Sequence, residues 1–185
     1  MLLLIAEVGS VPYTFDGVTE EDWPSIKPKH RYGQVPCLTI PATNQSIYQT
    51  TAIARFLAQE GGLYPSDRLQ EYVASVEEAV NKLIDVVYFT APENKEEALK
   101  KFSEGILKTV LQALSVILEK NGGLLLNGEL SWADLVLFDF LLMALDAGVD
   151  LSPFKTIVEF KERIEKIPKV KVYLDSDRNL RKLKV

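Results

Sequence analysis

Two neighbouring polar residues, Gln49 and Thr50, stand where a short apolar segment gives way to a helix. The first turn of a helix presents free N–H groups and positive partial charge, so it binds anions such as carboxylates. The hydroxyl of Thr50 can add a hydrogen bond to such an anion. The same pattern is also typical of a helix that is simply capped by Thr50 or Thr51. These residues alone therefore allow two interpretations, a carboxylate-binding site and a simple helix cap.

The composition limits the other kinds of chemistry. The 185 residues carry a formal net charge of -5, which argues against a general nucleic-acid-binding surface. One cysteine, Cys37, permits no internal disulfide and fits a reducing compartment, so we expect a cytoplasmic protein. One cysteine and one histidine cannot supply the four ligands of a structural zinc site, and no metal is predicted.

The apolar start of the chain, residues 1–6, lacks a basic segment before it and is interrupted by Glu7. We interpret it as the buried face of a helix and not as a signal peptide. No apolar run reaches the roughly 20 residues that a membrane-spanning helix needs. We therefore expect no membrane association.

The residues before Gly61-Gly62 alternate between element types. Tyr13-Thr14-Phe15 reads as a strand, and residues 20–27 as a short helical or irregular stretch around Trp23. The other expected elements are a helix over 2–8 closed by Gly9, a hairpin of 35–40 with 45–48, and a helix over 51–59.

The residues after Pro65 follow a helical pattern throughout. Apolar residues recur every three or four positions along two long segments. Ser131 and Asp134 have the spacing of a capping box, Ser152-Pro153 reads as another helix start, and Ile167-Pro168 begins a short last helix. The expected fold class is α/β followed by all-α. The predicted domains are residues 1–62 and 66–185.

Five short motifs, in order, resemble the cytosolic glutathione transferases. The resemblance is greatest to the sigma-like class, which includes glutathione-dependent prostaglandin D synthases and lens S-crystallins. The motifs are Glu21-Asp22-Trp23-Pro24-Ser25-Ile26-Lys27-Pro28, Gly33-Gln34-Val35-Pro36, residues 48–58 from Tyr48-Gln49-Thr50-Thr51, Ser131-Trp132-Ala133-Asp134-Leu135, and residues 167–174. The resemblance implies a thioredoxin-like part followed by a helical bundle.

The resemblance also implies a ligand, glutathione, as co-substrate. Glutathione is an extended tripeptide with two carboxylates, an ammonium and a thiol. The family holds its glutamyl end at the position of Gln49 and Thr50, where Thr50 replaces the usual serine. Gln34, Val35 and Pro36 resemble the family's cis-proline turn, in which the backbone of Val35 pairs with the cysteinyl residue. A trans proline at a strand edge is the alternative.

The opposite end of the ligand is implied to lie at Trp23 and Lys27. An indole N–H and an ammonium can both bind the glycine carboxylate. Lys29, His30 and Arg31 follow and add positive potential. A run of basic residues on a solvated surface is the alternative interpretation.

A homodimer is also implied. In the family, the first long helix of the partner offers an acidic residue to the glutamyl ammonium, and Glu77 occupies such a helix here. Arg55 and the helices of Arg55 and Glu77 would then lie at the interface. A solvent-facing carboxylate is the alternative for Glu77. A small hydrophobic electrophile is expected near Val87, Tyr88 and Phe89.

One family feature is not matched. Family members begin with a strand ending in the tyrosine that activates the glutathione thiol, whereas Met1-Leu2-Leu3-Leu4 already corresponds to the first helix. Tyr13 and Tyr64 correspond to positions that have a structural role in the family, so neither replaces the catalytic tyrosine. We expect the Tyr13–Phe15 strand to close directly on the 35–40 strand, or the small domain to be remodelled. The sequence thus favours a transferase with weak or altered activity over a non-catalytic structural, carrier or assembly module.

Overall fold

The computed structural model describes residues 1–182. The first part of the chain contains three helices and one hairpin, in the order expected for an α/β unit. Its elements are α1 (Leu2–Gly9), α2 (Trp23–Ile26) with a 3-10 turn over Lys27–Lys29, β1 (Cys37–Ile40), β2 (Gln45–Tyr48) and α3 (Thr50–Glu60).

The remainder of the described chain is helical. It contains α4 (Leu69–Tyr88), α5 (Lys95–Phe102), α6 (Lys108–Lys120), α7 (Trp132–Asp146), α8 (Lys155–Glu165) and α9 (Pro168–Asp175), with short turns over Pro92–Asn94, Ser103–Leu107 and Leu180–Lys182. The predicted succession of an α/β part and an all-helical part is confirmed. The division into domains at 1–62 and 66–185 stays a prediction, and residues 183–185 lie outside the described range.

Helix α7 forms the centre of the helical part. Its first two turns are buried on every face, as the uninterrupted apolar sequence predicts. The predicted capping box is present: the carboxylate of Asp134 accepts hydrogen bonds from the Ser131 N–H at 2.9 Å and the Ser131 hydroxyl at 2.6 Å. Asp134 also accepts from the Leu125 N–H at 2.8 Å, so one carboxylate joins the preceding loop to the helix.

The described sheet has two strands. β1 pairs antiparallel with β2 from Cys37↔Tyr48 to Ile40↔Gln45, which confirms the predicted hairpin. The predicted strand at Tyr13-Thr14-Phe15 is wrong, and so is its direct closure on β1. The Tyr13 hydroxyl instead donates to Glu7 at 2.7 Å. Residues 14–19 are exposed, so water satisfies their backbone groups without a sheet partner.

The end of α1 differs from the prediction in which residue carries the left-handed turn. Ser10 has φ 57 and ψ 32 there, not Gly9. Gly9 instead lies against α3: a Cβ added to Gly9 would stand 2.8 Å from the Cα of Gly61. Glycine at position 9 thus serves the close contact of α1 with α3 and not the helix cap.

The helix start expected at Ser152-Pro153 is also wrong. Helix α8 begins at Lys155, with Phe154 before it. Ser152 instead donates its N–H and hydroxyl to Asp150 at 2.8 and 3.0 Å, which forms a local turn. This Asp–Ser interaction competes with capping of the following helix.

Helix α1 also packs against α7 and α9. Lys169 on α9 donates to the carbonyl of Val8 at 2.9 Å and to the Ser10 hydroxyl at 2.7 Å, and Arg178 pairs with Glu7 at 3.0 Å. The end of the chain therefore holds the first helix in place. Within residues 1–182, no helix combines the length and apolar character needed to cross a membrane.

Candidate functional site

A cleft of about 200 Å³ opens at the junction of the hairpin with α3. It is bounded by the loop before β1, the last residue of β2 and the first residues of α3. Its lining residues are Tyr32, Gln34, Val35, Pro36, Tyr48, Gln49 and Thr50. Five residues that the sequence analysis assigned to ligand binding, Gln34, Val35, Pro36, Gln49 and Thr50, are thus brought together.

The turn from β2 into α3 exposes the start of the helix to the cleft. Gln49 has φ 72 and ψ 124, a conformation that L-residues rarely adopt and that often marks functional positions. No side chain of the described residues caps α3. The first N–H groups of α3 are therefore free to bind an anion, and the simple cap by Thr50 or Thr51 is not formed.

The loop before β1 supplies an open backbone edge. The Val35-Pro36 bond is cis, as expected. The Val35 side chain is 51% exposed, and among residues 1–182 neither its N–H nor its C=O has a backbone hydrogen-bond partner. An extended peptide could pair with this edge in the manner of an added strand.

Trp23 and Lys27 lie beside the cleft but are not among its lining residues. The Trp23 ring meets the His30 ring with centroids 5.8 Å apart. The Lys27 side chain runs along the loop, with its Cε 3.4 Å from the position that a Cβ would take on Gly33.

Two tyrosines in the cleft were not assigned a role from the sequence. Tyr48 and Tyr32 meet edge to face with centroids 5.7 Å apart, and the His30 ring meets Tyr48 at 6.0 Å. With Trp23 they form an aromatic cluster (Trp23, His30, Tyr32, Tyr48) along one side of the cleft. The position of Tyr48 directly before Gln49 was the available signal, whereas nothing local indicated that Tyr32 would reach the same place.

Glu77 faces α3 of its own chain. Its carboxylate accepts a hydrogen bond from the Thr51 hydroxyl, next to the cleft residue Thr50. Burial raises the pKa of Glu77, and the positive charge of Arg55 opposes that rise. Arg55 also donates to Gln70 at 3.0 Å, so α3 and α4 share one polar network.

The raised pKa of Glu77 predicts how stability depends on pH. Glu77 binds its proton more tightly in the folded protein than in the unfolded chain, so this contribution is fully present below the ordinary value of 4.5 and is lost as pH rises through the raised pKa. We expect Glu77→Gln, which keeps an acceptor for Thr51, to gain stability relative to the wild type as pH rises through that range.

Urea unfolding of both proteins below pH 4.5 and at neutral pH measures this difference. The exposed neighbour provides the matched control, Glu78→Gln. A stability difference between wild type and Glu77→Gln that stays constant with pH would contradict the prediction.

The residues expected to contact an electrophile are not among the cleft-lining residues. Tyr88 and Phe89 end α4 with 75% and 80% of their surface exposed, and Val87 is half-buried. The structure thus presents an exposed aromatic pair at the end of α4.

Tyr13 and Tyr64 have structural partners, as the sequence analysis predicts. Burial and the hydrogen bond to Glu7 raise the pKa of Tyr13 to about 12. The Tyr64 hydroxyl donates to Asp67 at 2.9 Å and accepts from Gln70 at 2.6 Å, and its ring packs on Trp132. A phenol with a raised pKa is a poor source of the hydrogen bond that stabilises a thiolate.

Comparison with known proteins gives consistent matches. The family model described as glutathione S-transferase, C-terminal domain, matches residues 77–177. Glutathione S-transferase 3 of Caenorhabditis elegans is 33% identical over 178 residues, which are 90% of this chain and 85% of that protein.

Two solved structures share the fold. The sigma class GST of Fasciola hepatica superposes with a TM-score of 0.82 at 24% identity, covering 94% of this chain and 88% of that one. Prostaglandin synthase D of Nilaparvata lugens superposes with a TM-score of 0.77 at 22% identity, covering 95% and 90%.

Proposed function

Because this chain belongs to the glutathione S-transferase family and has its fold, we propose that it binds glutathione as co-substrate in the cleft between the hairpin and α3. The observation that carries the proposal is that the uncapped start of α3 and the open backbone of Val35 face the same cleft. An anion-binding group and a strand-like edge are what an extended, anionic tripeptide requires.

The glutamyl carboxylate is assigned to Gln49, Thr50 and the first N–H groups of α3. The cysteinyl backbone is assigned to Val35, beside Gln34 and Pro36. The glycine end then extends toward the loop that carries Trp23 and Lys27. These assignments follow the positions of the side chains around the cleft together with the family resemblance.

The reaction we propose is conjugation or isomerisation of a small hydrophobic electrophile, which would lie against Val87, Tyr88 and Phe89. The Tyr13 and Tyr64 hydroxyls donate to Glu7 and Asp67, so we assign neither of them to activation of the thiol. We also propose a cytoplasmic setting. The sigma-like class assignment is likewise a proposal.

A homodimer is the assembly we propose, with the outer faces of α3 and α4 at the interface. The Glu77 carboxylate accepts a hydrogen bond from Thr51 of its own chain. If Glu77 also binds the ligand of the partner subunit, its carboxylate makes both contacts. Light scattering at several protein concentrations measures the mass directly, and a monomer at all of them would contradict the dimer.

Calorimetric titration with glutathione, followed by a conjugation assay with a generic aromatic electrophile, tests the function. Binding with turnover supports the transferase, and binding without turnover supports the alternative of a non-catalytic carrier or structural module. That alternative is favoured by the exposure of Tyr88 and Phe89 away from the lining residues. The absence of both binding and turnover would refute the proposal.

Thr50→Val tests the anion end of the cleft. The substitution removes the hydroxyl and keeps the branched shape, so we expect the Kd for glutathione to rise roughly tenfold, since hydrogen bonds to charged groups contribute about 1.5–3 kcal/mol. Thr43→Val, in the exposed turn of the hairpin, is the matched control. An unchanged Kd for Thr50→Val would remove Thr50 from the site.

A further inference from the structure

We propose that Tyr48 is a positioning residue, whose ring holds the loop before β1 against the turn into α3. The inference rests on the proposed binding of glutathione and deepens it. Its basis is that the Tyr48 ring contacts side chains of the loop, while its backbone leads through Gln49 into α3.

The two halves of the cleft come from separate segments of the chain. The open backbone edge lies in the loop at Gln34 and Val35, and the free helix start lies at Thr50. Among residues 1–182, the N–H groups of Gln34 and Val35 have no backbone hydrogen-bond partner, and both residues are exposed. Their own hydrogen bonds and burial therefore do not fix the edge, although a preorganised edge binds an extended peptide more tightly.

The ring of Tyr48 contacts three side chains of this loop. The Tyr32 ring meets it at 5.7 Å and 90°, and the His30 ring meets it at 6.0 Å and 87°. The guanidinium of Arg31 lies 5.3 Å from its centroid. Ring pairs in this geometry, and a cation over a ring, are favourable beyond the area that they bury. Tyr32 is 56% exposed, so its contact with Tyr48, and not burial in the core, holds it beside the cleft.

The backbone of Tyr48 connects the same ring to the other half of the cleft. Tyr48 is the last residue of β2 and pairs with Cys37, which follows Pro36 at the start of β1. The next residue is Gln49, whose φ of 72 turns the chain into α3. One residue therefore joins the loop to the turn into α3.

The ring of Tyr48, and not its hydroxyl, makes all three contacts with the loop. Phenylalanine has the same ring, so Tyr48→Phe preserves the contacts, whereas Tyr48→Leu removes the aromatic face and edge. The two substitutions thus separate positioning by the ring from direct binding of the ligand by the hydroxyl.

Calorimetric titration with glutathione is the first test of this role. We expect the Kd for glutathione to rise roughly tenfold in Tyr48→Leu, because ordering of the loop then opposes binding. Tyr48→Phe should keep the wild-type Kd. Tyr13→Leu is the matched control, since Tyr13 is also half-buried but contacts Glu7 and does not line the cleft.

Acrylamide quenching of tryptophan fluorescence reports on the loop without any ligand. The chain has two tryptophans, and Trp132 is 0% exposed, so a change in quenching comes from Trp23. The Trp23 ring meets the His30 ring at 5.8 Å, and the His30 ring in turn meets Tyr48. We expect stronger quenching in Tyr48→Leu than in the wild type, Tyr48→Phe and Tyr13→Leu.

Tyr32→Leu tests the same contact from its exposed side, where the risk to the fold is smallest. It should also raise the Kd. Combined with Tyr48→Leu, it should raise the Kd by less than the product of the two single effects, because both substitutions remove one shared contact. Independent effects would contradict that contact. Urea unfolding of each variant confirms that the fold is retained.

The outcomes separate this inference from the proposed function. If the wild type binds glutathione but Tyr48→Leu keeps the wild-type Kd or the wild-type quenching, the positioning role is refuted while glutathione binding stands. An equal loss of affinity in Tyr48→Phe would also refute it, since the hydroxyl would then bind the ligand directly. If the wild type does not bind glutathione, the proposed function fails, and the role of Tyr48 in that binding fails with it.

Discussion

We expect Asp134→Ala to reduce the free energy of unfolding by about 3–5 kcal/mol, because it leaves buried hydrogen-bond donors without an acceptor. Asp134 and Ser131 are both fully buried. The carboxylate accepts from the Leu125 N–H, the Ser131 N–H and the Ser131 hydroxyl. Each buried donor left unpaired costs about 1–3 kcal/mol, although the hydroxyl can rotate toward another acceptor.

Burial raises the pKa of Asp134, and the hydrogen bonds that its carboxylate accepts oppose that rise. The donors are thus the groups that make the buried carboxylate tolerable, and the carboxylate is what satisfies the donors. In a protein of this length, about 1 kcal/mol shifts Tm by about 2–4 °C, so the expected loss in Tm is on the order of 10 °C.

Asp150→Ala is a matched control for this prediction. Asp150 accepts the same two kinds of bond, from the Ser152 N–H at 2.8 Å and its hydroxyl at 3.0 Å, but it is exposed. Water can replace the lost acceptor there, so we expect less than about 1 kcal/mol. Thermal and urea unfolding measure both variants, and equal losses at the two positions would contradict the assigned role of burial.

The second large effect is expected for Gly61→Ala, at the contact of α1 with α3. A Cβ on Gly61 would lie 2.7 Å from the Cα of Gly9 and 3.1 Å from the carbonyl oxygen of Leu57. Both obstacles are backbone, and because Gly9 belongs to α1, the two helices must separate to relieve the closer contact. Gly61 has φ -87, which alanine adopts freely, so the cost is steric alone. We expect a loss of about 2–3 kcal/mol, in the range typical of overpacking.

The reciprocal variant sharpens the test of this contact. Gly9→Ala would place its Cβ 2.8 Å from the Cα of Gly61, so the two substitutions strain the same contact. Once one alanine has separated the helices, the second should cost less, and the double variant should lose less than the sum.

Gly17→Ala serves as the control for a glycine in a loop, where a Cβ would meet only the Phe15 ring at an ordinary 3.6 Å. Urea unfolding compares the four variants with the wild type. Additive losses at Gly9 and Gly61, or none, would contradict the close packing of α1 on α3.

The cleft shows how far residue types alone can place a site. Gln49 and Thr50 were identifiable because they adjoin a helix start, and Val35-Pro36 because of the motif around them. Tyr32 was not, since its place in the cleft depends on an edge-to-face contact with Tyr48 across the loop. The bond between Thr51 and Glu77 joins residues on two helices, and no local pattern indicates it.

The sequence by itself determined the features that depend on near neighbours along the chain. The helical periodicity, the hairpin of β1 and β2, the capping box of α7 and the end of α3 at the glycine pair all follow from interactions within a few residues. Only the tertiary structure decided whether Tyr13–Phe15 forms a strand and what Gly9 contacts. A strand needs a partner supplied by distant residues, and a close helix contact needs a second backbone, so neither is fixed by local sequence.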